Sequence, residues 1–134
     1  MELLVVVAIL GILGGVTGLF LIKYLPEHHL RSAASTLSQD LRQAQVGAIR
    51  RLETWSVTMN TATQSYSIEG PIGTVVKTVN LSSYDGEIRF TAVSGSPIQF
   101  SEEGFSTSGN ATMRNSRGSL LTIQVLRTGV VRVQ

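Results

Sequence analysis

The 134 residues allow one domain, or one domain with an appendage, and at 43% apolar and 15% charged they form neither a disordered segment nor a coiled-coil rod. Eleven Lys and Arg against nine Asp and Glu leave a net charge of +2, too little to mark a polyanion-binding protein by itself. The chain has no cysteine, which excludes disulfide scaffolds, thiolate metal sites and thiol nucleophiles; its two histidines, adjacent at His28 and His29, leave little for a metal site or a Ser-His-Asp triad.

In chain order, the first element is a run of twenty uncharged residues, Leu3 to Ile22, in which Thr17 is the only side chain with a hydrogen-bonding group. As a helix it would span about 30 Å, the thickness of a bilayer core. A secretory signal peptide is disfavoured, because the charge before the run is acidic Glu2, the run exceeds a usual h-region, and no small-x-small site precedes Lys23. A carboxylate is costly in hydrocarbon, so Glu2 must sit in the headgroups or meet a cation. Gly11, Gly14, Gly15 and Gly18 form overlapping G-x-x-x-G pairs. They permit close helix approach, and they also weaken the helix by about 1 kcal/mol each relative to alanine. Residues 1–25 are therefore expected to be a membrane-spanning or equivalently buried helix.

Pro26 removes a helical N–H and is expected to kink or loosen the chain. Beyond it, Leu30, Ala34, Leu37, Leu41, Ala44, Ala48 and Leu52 recur in steps of three and four, the stripe of an amphipathic helix. Gln39, Asp40, Arg42, Gln43, Gln45, Arg50 and Arg51 fill most of the rest. Residues 26–53 thus continue the first helix with a two-faced second half.

From residue 54 the period changes to two. β-forming runs occur at Thr54–Met59, Ser65–Ile68, Val75–Leu81, Glu87–Thr91, Ile98–Ser101, Leu120–Leu126 and Val130–Val133. Turn signals such as Gly70-Pro71, Asp85-Gly86, Ser96-Pro97 and Thr128-Gly129 separate them. The Ser/Thr/Asn/Gly-rich stretch 104–118 reads as a flexible loop. The expected fold class is α+β: one long helix packed on a small antiparallel β-sheet domain covering 54–134. Trp55 is expected to seal the helix against the first strand.

Charge is uneven along that domain. Residues 53–103 carry two cations and six acids, whereas 104–134 carry Arg114, Arg117, Arg127 and Arg132 and no acid. The segments are either complementary surfaces between subunits or solvated loop charge, or the basic one is a phosphate-binding patch. Asn80-Leu81-Ser82 and Asn110-Ala111-Thr112 match the glycosylation acceptor pattern, which often arises by chance. Walker, G-x-S-x-G and H-E-x-x-H patterns are missing, so neither an enzyme nor a cofactor or metal is expected.

The segment Met1-Glu2-Leu3-Leu4-Val5-Val6-Val7-Ala8-Ile9-Leu10-Gly11-Ile12-Leu13 resembles the N-terminal signature of type IV pilins and type II secretion pseudopilins. Leu37-Ser38-Gln39-Asp40-Leu41-Arg42-Gln43-Ala44-Gln45 and Ala48-Ile49-Arg50-Arg51 look like the helix of one subclass, the general secretion pathway protein H / fimbrial protein T family. The closing strand and Gly-Arg-x-Arg pattern of that subclass is approximated by Leu121-Thr122-Ile123 and Gly129-Val130-Val131-Arg132. Two departures stand out. Glu2 is second, where the family has its glutamate fifth in the mature chain, so either residues are absent from the start of this sequence or processing differs. Val130 replaces the first arginine of the closing pair.

The resemblance implies a structural subunit of a pilus or secretion pseudopilus. Such a subunit is held singly in the bacterial inner membrane, then drawn into a periplasmic or extracellular filament with copies of itself or other pilins. It also implies an inner-membrane assembly platform, a prepilin peptidase and N-terminal methylation. Glu2 would pair with a neighbouring subunit's N-terminal amine, and the glycine stretch could unwind on packing. The alternative is a minor pilin that binds DNA for natural transformation through Arg114, Arg117, Arg127 and Arg132, a reading weakened by Val130.

Overall fold

A computed structural model describes residues 2–84 and 87–134, with the backbone alone at Glu2 and at 21–23; the Asp85-Gly86 turn lies outside the described residues. One helix, α1 (Glu2–Arg51), is followed by strands β1 (Trp55–Asn60), β2 (Ser65–Glu69), β3 (Val75–Asn80), β4 (Arg89–Ser94), β5 (Ile98–Phe100), β6 (Gly109–Arg114), β7 (Leu120–Val125) and β8 (Val131–Val133). The strands form two four-stranded sheets, ordered β3-β2-β1-β5 and β4-β6-β7-β8. Every pairing is antiparallel. An isolated bridge between Phe100 and Ser106 leads from the first sheet toward the second.

At 1.5 Å per residue the 50-residue helix is about 75 Å long. Its second half lies against both sheets. Leu30, Ala33, Ala34, Leu37, Leu41, Ala44 and Ala48 are all buried against Val57, Ile98, Phe100, Met113, Ile123 and Val125 from the strands. The strand residues obey the expected period of two: β1 buries Trp55, Val57 and Met59, and β6 buries Gly109, Ala111 and Met113. Each fully buried leucine or isoleucine stabilises the fold by about 1.5–3 kcal/mol.

Pro26 lies inside α1, which continues on both sides of it, while two other local expectations are corrected. A proline inside a helix costs about 3 kcal/mol, and here the cost is borne without interruption. The Pro26 carbonyl is tied to the sheet domain by the Asn115 side chain at 3.3 Å. Leu52 does not join the buried stripe. It adopts φ 53° just past Arg51 and stands 70% exposed, while the Glu53 amide donates back to the Ala48 carbonyl and closes the helix. The stretch 104–118 is not loop throughout, because its centre is β6, an inner strand of the second sheet. Its alternation of Ala111 and Met113 with polar neighbours is a strand pattern hidden in a loop-like composition.

Candidate assembly helix and basic face

The window Leu3–Phe20 of α1 is long and apolar enough to cross a membrane, and none of it is buried in its own chain. Thr17, the sole hydroxyl there, donates to the Leu13 carbonyl at 2.6 Å and so presents no unmet polar group to an apolar surrounding. At 100° per residue, Gly11, Gly14, Gly15 and Gly18 fall within an arc of about 100° on one side of the helix. A Cβ added at any of them would have no neighbour within 4 Å. Among the described residues, no contact therefore requires glycine at these positions. Phe20 and Tyr24 stack with ring centroids 6.3 Å apart where the apolar window ends. The side chain of Glu2 lies outside the described residues.

Four contacts fasten the second half of the helix to the sheets. Asp40, 3% exposed, accepts from Lys77 Nζ at 2.8 Å on both carboxylate oxygens and from the Tyr66 hydroxyl at 2.7 Å. Burial, reinforced by the Asp40 hydrogen bond and charge, pushes the Tyr66 phenol well above its ordinary value. Gln45 donates to the Gly104 carbonyl at 2.7 Å. Gly129, at φ 78°, passes so close to Gln45 and Gly104 that no side chain fits there. Asn115 donates to Pro26 and accepts the amides of Arg117 and Ser119 at 3.1 and 2.9 Å, which ties the β6–β7 turn to the helix. Trp55 lies flat on Gly47, where a Cβ would meet its ring at 3.1 Å, and Arg51 caps the ring at 5.7 Å. The expected seal by Trp55 is present.

The four C-terminal arginines are not brought into one patch. Arg114 and Arg132 lie on the outward face of the second sheet, since Arg114 alternates with buried Met113 and Arg132 pairs with Gln124 opposite Asn110. They are four residues and two strands apart, roughly 16 Å. Arg117 sits in the β6–β7 turn and Arg127 in the β7–β8 turn, at opposite ends of β7. Val130, which replaces the family's arginine, is 47% exposed. A cation from the acidic segment joins this face instead: Arg89 is the cross-strand partner of Arg114. The two segments of opposite charge along the sequence are therefore not two separate regions in space.

Sequence reasoning missed Asp40, Arg89 and Asn115. Asp40 carried a usable signal, because it lies three residues after Leu37 and four before Ala44 and so flanks the buried stripe. The pairing of Arg89 with Arg114 had none, since strand register across a long connection is not visible in composition. His28 is exposed and His29 half-buried, and among the described residues no three His, Cys, Asp or Glu side chains converge as metal ligands.

The chain resembles solved structures in fold. It matches the minor pseudopilin EpsH of the type 2 secretion system of Vibrio cholerae with a TM-score of 0.65 at 13% identity, over 79% of this chain and 96% of that one. It matches the type IV minor pilin FimU of Pseudomonas aeruginosa with a TM-score of 0.64 at 14% identity, over 83% and 92%. The chain has a pilin-like fold. No family model and no curated protein matches it by sequence. The pilin-like features are the single helix, apolar in front and amphipathic behind, and the antiparallel sheets that clasp only its second half.

Proposed function

We propose that this chain is a structural, non-catalytic subunit of a filament of the type IV pilus or type II secretion pseudopilus kind. The observation that carries the reading is the exposed apolar window Leu3–Phe20, joined without a break to a helix half whose apolar stripe is buried. The apolar side chains of this eighteen-residue window, none of them buried in their own chain, need a bilayer or other helices around them. Before assembly the window anchors the chain in the bacterial inner membrane. After assembly it packs with the same windows of neighbouring subunits, and the sheets face outward. The smooth arc at Gly11, Gly14, Gly15 and Gly18 suits close helix approach.

Glu2 is the remaining element of this reading. A carboxylate at the head of a greasy bundle is strongly disfavoured unless matched, so pairing with a neighbour's N-terminal amine would set axial register. Shearing surface filaments and identifying their subunits by mass spectrometry tests the proposal. The chain is expected in the filament fraction, and Glu2→Ala should lower its incorporation while membrane insertion stays intact. Normal incorporation of Glu2→Ala removes Glu2 from the mechanism, and a chain never found in filaments overturns the whole reading.

DNA binding through Arg114, Arg117, Arg127 and Arg132 is the second reading. It is the weaker, because these cations are dispersed over the face and two ends of the second sheet.

A further inference from the structure

The end of the sheet domain nearest the apolar window holds a polar cleft that the filament reading does not use. Its volume is about 280 Å³, and Glu87, Arg89, Phe90, Thr91, Arg114 and Asn115 are among its lining residues. Arg89 and Arg114 stand directly opposite each other on β4 and β6, pointing to the same side. Like charges in that position repel. Among the described residues neither guanidinium takes part in a salt bridge or donates a hydrogen bond to another side chain, although Glu87 shares the cleft. Among the described lining residues two cations stand against one acid, and both arginines line the same cleft.

The position of the cleft decides what can fill it. Asn115, next to Arg114, is bonded to the Pro26 carbonyl, so the cleft is held at the level of Pro26 on the helix. Pro26 lies six residues beyond Phe20, the end of the apolar window, or about 9 Å along the axis. The headgroup layer on one side of a bilayer is roughly 5–8 Å deep. Tyr24, stacked on Phe20, lies in the interval where aromatic side chains favour the membrane interface. An arginine side chain beside Pro26 therefore reaches the phosphate layer when the window spans a bilayer.

The geometry points to a binding site for the phosphate of an anionic phospholipid headgroup between Arg89 and Arg114, occupied while the subunit waits in the membrane. The inference rests on the anchoring part of the proposed function. Phosphate bridging the two forks relieves their repulsion and fixes the sheet domain against the membrane surface. Leaving the bilayer for a filament would then require giving up that contact.

The test uses the full chain in lipid nanodiscs of phosphatidylcholine alone or mixed with phosphatidylglycerol, with hydrogen exchange read at 89–91 and 114–119. Each arginine close to an anionic surface contributes about fivefold, so exchange should slow by about 30-fold in the mixed discs. Arg89→Gln or Arg114→Gln should each leave only about fivefold. Both side chains are exposed, so the variants keep the fold. Equal exchange in the two kinds of disc, with the chain inserted in both, overturns the headgroup site and spares the anchor. Failure to insert in either disc overturns the anchor and the site together. If inorganic phosphate alone, or duplex DNA, slows the same amides as strongly in neutral discs, the lipid assignment is overturned.

Discussion

Residues Leu3–Phe20 and Leu30–Ala48 belong to one uninterrupted helix, yet they are built for different surroundings. In the second stretch Leu30, Ala33, Ala34, Leu37, Leu41, Ala44 and Ala48 are each at most 1% exposed, and polar residues occupy most of the other face. In the first stretch apolar residues cover every side, and the chain itself buries none of them. A helix with one apolar stripe has its partner in the same chain, whereas a helix apolar all round needs one from outside it. Continuity of hydrogen bonding thus says nothing about which solvent each half needs; the width of the apolar surface does.

The largest expected effect separates the halves directly. Leu41→Ala should destabilise the fold by about 3 kcal/mol through the cavity it leaves. Leu10→Ala, whose side chain is 63% exposed, should change it by less than about 0.5 kcal/mol. Denaturant unfolding of the full chain in mild detergent, followed by fluorescence of Trp55, measures both. A comparable loss from Leu10→Ala would mean that the front half packs on the domain after all.

Within the packed half, the Asp40 staple is next in size. Lys77→Met removes the cation from a nearly buried carboxylate and should cost about 2 kcal/mol, less than a fully buried pair because the lysine side chain is 44% exposed. Tyr66→Phe should cost about 1 kcal/mol at neutral pH, with an altered pH profile. Because the folded-state pKa of Tyr66 is raised above its ordinary value near 10, its contribution is whole below that pH. It is lost as pH rises further, since the unfolded chain releases the phenolic proton there and the folded chain retains it. Unfolding curves across alkaline pH should fall less steeply for Tyr66→Phe than for the unaltered chain.

A smaller effect concerns the basic face. Arg89, Arg114 and Arg132 share the outward side of the second sheet, so a plot of log affinity for duplex DNA against log salt should have a slope no steeper than about −3. Binding at physiological salt should be weak. A steeper slope, or tight binding abolished by Arg132→Ala, would promote the nucleic-acid reading over the structural one.

The long helix, its division near Pro26 and seven of the strands were legible in periodicity, because burial imposes steps of three and four on the helix and two on strands. The stripe reached Ala48 correctly and overran at Leu52, where backbone conformation rather than side-chain type ends the helix. β6 was missed because Ser, Thr, Asn and Gly dominate its neighbourhood, and only Ala111 and Met113 mark the face it buries. The division of the strands between two sheets depends on pairings such as β1 with β5 and β4 with β6, which join residues about forty and twenty positions apart and leave no local trace. For the same reason the sequence displayed four C-terminal arginines as a group, while the fold separates them and adds Arg89.

The central claim is that the apolar half of the helix is an assembly surface for other helices. Gly14→Leu tests it most directly, because a side chain there meets nothing in this chain and should leave domain stability and membrane insertion unchanged. The measurement is the amount of the variant in sheared filaments relative to the amount in the membrane. A marked fall in that ratio is the result expected if helices pack closely along the glycine arc. A ratio equal to that of the unaltered chain would contradict the account and leave Leu3–Phe20 a membrane anchor alone.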